Sequence, residues 1–190
     1  MEFVNPIRKK SQIDEIKRLM LGDEKWRDYL LFVFGINSGL RISDILQLKY
    51  SDLIENSKIK AEISLREKKT GKSKILPLND SIRNAIQEVL NHLRVKPACQ
   101  EYLFHGKRTK TPLSRVYCWK VLNKYARKVG ITESIGTHSM RKSLAWHLYK
   151  KGVQLPTIMK MMNHGSQAVT MRYIGINQQE INEVYSGLNL

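Results

Sequence analysis

The chain has 190 residues, enough for one good hydrophobic core but hardly for two full domains. Its formal net charge of +16 indicates a polyanionic partner such as DNA or RNA, although a ribosomal or membrane-surface protein could share that charge. No run of about 18 apolar residues occurs and no signal peptide opens the sequence, which argues against a membrane or secreted protein and predicts a cytoplasmic or nucleoid-associated one.

Three helices are predicted in the first fifty residues. The first, over residues 11–21, has apolar side chains at helical spacing, and its lysines are expected to be solvent-exposed. The second begins near Asp23 and is apolar on most sides, so it is expected at the centre of the core, with Gly39 as its C-terminal cap. A short third helix over residues 40–46 follows, and Arg41 at its start could simply pair with Asp44.

Between residues 50 and 78 the apolar period changes from helical to two. This alternation predicts two antiparallel strands joined by a turn at Lys69-Thr70-Gly71, as part of a small sheet. The tip is basic, with Arg66, Lys68, Lys69, Lys72 and Lys74. Such lysines are usually solvated, but a tip of this charge also suits a nucleic-acid groove.

Two amphipathic helices are predicted next. The first is capped by Asn79 or Asp80 and ends before Pro97, and the second covers residues 114–129. The outer face of the second helix is basic, with Lys120, Lys124, Arg127 and Lys128. That face is either solvated or in contact with DNA phosphates, and the sequence favours neither reading.

The stretch from Thr137 to Tyr173 carries the densest set of chemically useful side chains. If Thr137 caps a helix, His138 and Arg141 share one face near its N-terminus, an end that attracts anions. A short helix over residues 155–163 is expected to end with Gly165 as a left-handed cap, which would leave His164 at an exposed corner. Each residue alone has an ordinary structural explanation, so the functional interpretation depends on the whole set.

Taken together, Gly39-Leu40-Arg41-Ile42-Ser43-Asp44, the Lys69-Thr70-Gly71 turn, His138-x-x-Arg141, His164 and Tyr173 resemble, in order and spacing, the catalytic domain of the tyrosine recombinase (phage integrase) family. The resemblance covers nearly the whole chain. It implies an α+β, mainly α-helical fold with a small antiparallel sheet or hairpin on one edge. Residues 1–190 would form a single catalytic domain, with the family's N-terminal DNA-clamp domain absent. One departure is Met162-Asn163-His164-Gly165, where the family usually has Leu-Gly-His-Ser.

The resemblance implies that Tyr173 attacks a DNA phosphorus and forms a 3′-phosphotyrosyl link with a free 5′-hydroxyl. Arg41 and Arg141 would clamp the phosphate oxygens, which makes a metal ion unnecessary, and no cofactor is expected. His138 would take the phenol proton and His164 would hydrogen-bond the same phosphate.

The leaving 5′-oxygen also needs a proton, and the resemblance assigns this role to Lys69, with Lys68 and Lys72 as fallback residues. Asp44 matches an acidic position that supports the site, and it is expected to hold Arg41. Cys99 and Cys118 are too few for a zinc site or a disulfide framework, so free thiols are expected.

The expected partner is double-stranded DNA, with a homotetramer on paired sites, a monomer without DNA, and no membrane. An apolar stripe near the end could join neighbouring subunits or fold back on its own core, and it comprises Ile181, Val184, Tyr185 and Leu188. A type IB topoisomerase, a non-catalytic DNA-binding protein and, more distantly, an RNA-binding protein remain as alternatives.

Overall fold

The computed structural model describes residues 4–92, 98–106, 108–176 and 178–187. In chain order the elements are α1 (Lys10–Gly22), α2 (Trp26–Ser38), α3 (Ile42–Ile45), α4 (Tyr50–Leu53), β1 (Ile54–Glu55), β2 (Lys58–Ile59), β3 (Glu62–Arg66), β4 (Ser73–Pro77), α5 (Asp80–His92), α6 (Arg115–Lys128), α7 (Thr137–Lys150), α8 (Leu155–Met161), α9 (Gln167–Ile174) and α10 (Gln178–Gly187). The predicted class, mainly helical with small antiparallel strand pairs, is confirmed.

Helix α2 forms the centre of the core, as its apolar sequence predicts. Residues 30–36 are all buried, and α1, α5, α6 and α7 pack around them. At Gly35 an added Cβ would clash with the Met140 side chain, so glycine is what lets α7 approach α2 closely. The helix ends at Gly39, which adopts the predicted left-handed conformation with φ 63°.

The strand region differs from its prediction in two ways. Strands β3 and β4 form the expected antiparallel hairpin, but β1 and β2 form a separate two-stranded sheet, and Asn56 and Ser57 between them have φ of 50° and 61°. Residues 50–53, expected to be extended, form α4 instead. The Asp52 carboxylate accepts the Lys49 backbone N–H at 2.8 Å, and this capping bond favours a helical turn over a strand.

The two long surface helices are capped by side chains. Asn79 caps α5 by accepting the Ile82 N–H at 3.0 Å, which decides between the two predicted caps. Ser114 caps α6 by accepting the Tyr117 N–H at 3.1 Å. The predicted end of α5 before Pro97 lies outside the described residues.

A second, smaller apolar cluster joins α7, α8 and α9. Its buried members are Ala145, Ile158, Met162 and Ile174, so the cluster fixes where α7 and α9 meet.

Gly136, and not the predicted Thr137, precedes the first turn of α7. The Gly136 N–H donates to the Ser139 hydroxyl at 3.1 Å, and the Ser139 N–H donates to the Gly136 carbonyl at 2.8 Å.

A strap formed by residues 4–8 lies across α7 and reaches the end of α9. Ile7 is buried, and its N–H donates to the Ser143 hydroxyl at 2.7 Å. The Arg8 guanidinium donates to the Gly175 carbonyl at 2.7 Å, immediately after α9. The strap thus fastens α7 and α9 to the start of the described chain.

Cys118 is buried and Cys99 exposed, and both are free, as predicted. Burial raises the pKa of the Cys118 thiol to about 11, so it is packed as a small apolar side chain. Within the described ranges, none of the helices combines the length and the apolar character needed to span a membrane.

Candidate active site

A cleft of about 590 Å³ lies where α3, the β3–β4 turn, the N-terminal ends of α6 and α7, and the corner between α8 and α9 meet. It brings together five of the six side chains predicted to be catalytic. These are Arg41, Lys69, His138, His164 and Tyr173. Two further cations, Lys68 and Arg115, also line it. The cleft is therefore strongly cationic, as a phosphate site would be.

Arg41 is held by a buried carboxylate. Its Nη1 donates to Glu67 Oε2 at 2.8 Å, and the two side chains are 13% and 0% exposed. The same oxygen accepts the Thr70 hydroxyl at 2.8 Å and the Asn163 amide at 2.7 Å. Burial alone would raise the pKa of Glu67, but these three hydrogen bonds outweigh it and lower the pKa below its usual value.

Asp44 was expected to hold Arg41, and this expectation is wrong. Its Oδ1 instead accepts the backbone N–H of Lys68 at 3.1 Å, while Glu67 holds the arginine. Asp44 is buried. It therefore supports the β3–β4 turn that carries Lys69, rather than the guanidinium.

Arg141 lies beneath the cleft and does not line it. The residue is 1% exposed, and its Nη1 donates to the Gly39 carbonyl at 2.5 Å. Its Nη2 donates to the Met162 carbonyl and lies 3.5 Å from His164 Nε2. Among the described residues no carboxylate is hydrogen-bonded to this guanidinium. A buried cation without such a partner creates a positive potential that an anion in the cleft would relieve.

His164 occupies the corner between α8 and α9, half-buried rather than fully exposed. The prediction that Gly165 takes the left-handed conformation there is wrong, because Asn163 does so with φ 50°. His164 Nδ1 lies 3.0 Å from the Thr170 hydroxyl. Burial, followed by the charges of Arg141 and Arg41, lowers the pKa of His164 to about 4, so the ring is neutral at pH 7.

Tyr173 extends from α9 into the same cleft. Its ring centre lies 4.5 Å from that of His164 in an edge-to-face arrangement. The Arg141 guanidinium carbon is 5.9 Å and the Lys142 ammonium 5.7 Å from the Tyr173 ring centre. The Tyr173 ring thus lies beside one histidine and two cations, at the lining of the cleft.

His138 is placed at the cleft by the first turn of α7. Burial lowers its pKa, and the charges of Arg141, Lys142, Arg41 and Arg115 lower it further. A neutral imidazole accepts a proton, so this environment suits a general base near neutral pH.

For the DNA cleavage that the family resemblance implies, this direction of the His138 pKa shift predicts a pH dependence. At subsaturating DNA, the single-turnover rate should fall on the acid side with a midpoint below pH 6.5, which is the ordinary pKa of histidine. The reason is that the lowered pKa keeps His138 neutral, and able to accept a proton, down to a lower pH. His138→Gln should remove that limb and slow cleavage by about 10²–10⁴-fold. His92→Gln, at the exposed end of α5, is the control and should leave the profile unchanged. A midpoint above 6.5 would contradict the assignment.

The lysines of the hairpin divide into three groups. Lys69 and Lys68 line the cleft, whereas Lys72 is exposed and lies outside it. Lys74 is not among the residues that line the cleft, and its ammonium donates to the Met161 carbonyl at the end of α8 at 2.8 Å. Burial lowers the pKa of Lys74, and the charge of Arg141 adds to that effect. Position alone favours Lys69 or Lys68 as the proton donor.

The basic face of α6 is exposed along its length, as predicted, but part of it is engaged within the chain. Lys128 forms an ion pair with Asp23 at 2.9 Å, and Arg127 donates to the Ile131 carbonyl at 2.6 Å. Lys120 and Lys124 are exposed.

The sequence analysis did not assign a role at the site to four side chains. They are Glu67, Arg115, Thr170 and the amide of Asn163. For Glu67 a signal exists in the strand period, because Ile63, Leu65 and Glu67 alternate onto the inner face. A carboxylate on that apolar face requires a cation or several donors. The pairing of Glu67 with Arg41 depends on the tertiary fold.

Comparison with known proteins finds one matching family model and several similar chains. A family model described as "Phage integrase family" matches residues 10–180. "Probable integrase/recombinase YoeC" of Bacillus subtilis (strain 168) is 38% identical over 185 residues, which cover 97% of each chain. "Tyrosine recombinase XerA" of Pyrococcus furiosus is 28% identical over 181 residues, covering 93% of this chain and 60% of the relative.

Solved structures share the fold at low sequence identity. The crystal structure of XerA recombinase superimposes with a TM-score of 0.76 at 20% identity, covering 97% of this chain and 66% of that one. The post-cleavage complex of XerH site-specific recombinase with palindromic difH substrate gives a TM-score of 0.75 at 22% identity, covering 98% and 54%. The match covers 97% of the YoeC sequence but only 60% of the Pyrococcus furiosus XerA sequence.

Proposed function

The chain belongs to the phage integrase family, and on that premise we propose that it cuts and rejoins DNA at specific sites through a covalent intermediate on Tyr173. The resemblance noted in the sequence is confirmed by the family match. One observation carries the proposal: residues from five distant segments meet at one cationic cleft that contains the Tyr173 phenol. Double-stranded DNA is the proposed substrate, in the cytoplasm and associated with the nucleoid.

In the proposed reaction the Tyr173 oxygen attacks the phosphorus and its proton passes to His138. The bond from phosphorus to the 5′-oxygen breaks, and Lys69 gives that oxygen a proton so that it leaves as a hydroxyl. The product is a 3′-phosphotyrosyl link, and the attack of a 5′-hydroxyl reverses every step. The bond energy is thereby kept for rejoining.

The cations of the cleft would stabilise the charge that grows on the non-bridging phosphate oxygens. Arg41 enters the cleft with its guanidinium already oriented by Glu67. Arg141 contributes its charge from below, and His164 lies between that guanidinium and the Thr170 hydroxyl at the lining of the cleft. Preorganised donors of this kind act without reorganisation at the moment of reaction.

The assignment of Lys69 as proton donor predicts a rescue by substrate chemistry. Lys69→Ala should slow cleavage of ordinary DNA by about 10²–10⁴-fold, since an alkoxide is a poor leaving group. If the bridging 5′-oxygen is replaced by sulfur, the leaving thiol has a pKa of about 8.5 and needs no donor. The variant should then cleave within about tenfold of the wild type. Lys58→Ala, at an exposed position of β2 outside the cleft, serves as the control and should cleave both substrates at the wild-type rate. A rescue of Lys68→Ala instead would move the role to Lys68.

Paired target sites distinguish the proposal from a type IB topoisomerase. A plasmid with two sites, taken from DNA flanking the gene in its source replicon, should give exchanged products with both sites present and none with one. Relaxation of supercoils without exchange would favour the topoisomerase. Binding without any covalent adduct would favour a non-catalytic DNA-binding protein.

We further propose that the chain forms one catalytic domain, monomeric alone and tetrameric on paired sites. Support comes from α10, where Ile181 and Tyr185 are 39% and 77% exposed and so available to a neighbouring subunit. The predicted stripe also includes Val184, whose side chain is outside the described set, and Leu188, which lies beyond it.

We propose that seven basic residues contact DNA. Six were predicted from the sequence, and they are Lys68, Lys72, Lys120, Lys124, Arg127 and Lys128. The seventh is Arg115, which lines the cleft.

A further inference from the structure

Three consecutive residues at the end of α8 are each fastened to a different element. The Met161 carbonyl accepts the Lys74 ammonium from β4 at 2.8 Å, and the Met162 carbonyl accepts the Arg141 guanidinium from α7. The Asn163 side chain donates its amide to Glu67 Oε2 at 2.7 Å, at the base of the β3–β4 turn. His164 follows directly, so its position depends on these three contacts.

Asn163 combines two properties that no other residue of this corner has. Its backbone adopts φ 50°, a conformation that asparagine tolerates better than most residues other than glycine. Its side chain reaches an oxygen that also accepts Arg41 and Thr70, and the Glu67 carboxylate is completely buried. Glycine would allow the turn but would leave the buried carboxylate with one donor fewer.

The Glu67 carboxylate thus connects the two halves of the cleft. On one side it orients Arg41, and on the other it receives the amide of the residue that precedes His164. The turn between them carries Lys69, and Thr70 in that turn donates to the same oxygen. Loss of the amide would loosen the corner from the turn and from Arg41 at once.

We propose that Asn163 is a positioning residue for strand cleavage. Its amide locks the Arg41–Glu67 pair to the corner that carries His164, so that both sides of the cleft keep the spacing of one phosphate. This inference rests on the proposed function of the cleft. It predicts an effect on the rate of the chemical step and not on DNA affinity.

The first test replaces Asn163 by glycine, which keeps the left-handed turn and removes only the amide. Single-turnover cleavage of a nicked suicide duplex should slow about tenfold, the cost of one hydrogen bond to a charged acceptor, with the Kd for DNA within about twofold of wild type. Asn56→Gly is the matched control, since Asn56 is exposed, has φ 50° and lies in the β1–β2 turn. A wild-type rate for Asn163→Gly would overturn the inference.

The second test, Asn163→Asp, adds a pH readout that a merely structural role would not give. It places a second carboxylate against Glu67, and two such groups share one proton once the pH falls. The charged and titratable groups around this pair are Arg41, Asp44, Lys74, Arg141 and His164. Relative to wild type at the same pH, cleavage should be about 100-fold slower at pH 8 and recover to about tenfold slower near pH 5.5. A deficit that does not change with pH would overturn the inference.

Failure of the proposed function would be visible separately. If wild type forms no adduct on any duplex, the function fails, and Asn163 is then judged by thermal unfolding. Because both partners share one contact, the Tm loss of Asn163→Gly combined with Glu67→Ala should be smaller than the sum of the two single losses. Additive losses would show that the amide and the carboxylate are not coupled, and would overturn the inference without any activity measurement.

Discussion

Replacing Tyr173 by phenylalanine should abolish the covalent protein–DNA adduct. The substitution removes one oxygen and keeps the ring that packs at 4.5 Å against His164 and lies near Arg141. The fold and the DNA affinity should therefore stay within about twofold of wild type, while adduct formation falls by at least about 10⁴-fold, since no nucleophile remains. The measurement is the yield of slow-migrating protein on denaturing gels after incubation with nicked suicide duplexes.

The control for this experiment is Tyr149→Phe. Tyr149 is on α7, 38% exposed and outside the cleft, so its loss of a hydroxyl should leave the adduct yield unchanged. An adduct that persists in Tyr173→Phe would mean that another side chain attacks the phosphate. An adduct lost in both variants would indicate a general defect rather than a missing nucleophile.

The second large effect is expected from Arg141→Lys. Lysine keeps the charge but offers one ammonium where the guanidinium holds two carbonyls, those of Gly39 and Met162. These carbonyls belong to the segments that present Arg41 and His164, so both would lose their common support. Cleavage should fall by about 10²–10³-fold, a loss comparable to the removal of a preorganised donor from a charge-stabilising site.

Arg172→Lys is the matched control, because Arg172 is exposed on α9 beside Tyr173. Its cleavage rate should stay within about twofold of wild type. Circular dichroism and thermal unfolding of both variants establish that the fold persists. If Arg141→Lys cleaves at the wild-type rate, a buried positive charge is sufficient, and the support that the guanidinium gives to the carbonyls of Gly39 and Met162 is not needed for cleavage.

Local signals in the sequence identified much of this fold. The largely apolar α2, its glycine cap at Gly39, the start of α5 at Asn79 or Asp80 and the β3–β4 hairpin all follow from patterns a few residues long. The α4 turn, which Asp52 caps, was missed because residues 50–53 were assigned to the stretch in which Ile59, Ala61 and Ile63 alternate like residues of a strand. The order and spacing of the site residues likewise indicated which side chains share one cleft.

The bonds that hold the site together could not be read in the same way. Asp44 is three residues from Arg41 and looked like its partner, yet Glu67, 26 residues away, holds the guanidinium. The choice depends on how the hairpin packs against α3, which no local pattern encodes. Arg141 was expected at the phosphate, but its burial depends on the close approach of α2, α7 and α8. Sequence order suggested the site's members, and tertiary contacts determine their partners.

The strap of residues 4–8 has a practical consequence for handling the protein. Through Arg8 and Gly175 it connects the beginning of the described chain to the helix that carries the attacking tyrosine. An affinity tag joined directly ahead of the strap, or a protease that removes the strap, would disturb the contact with Gly175 and so the position of α9. This holds although the strap and α9 are far apart in the sequence. Purification handles are therefore better separated from residue 4 by a flexible spacer and removed before rates are compared.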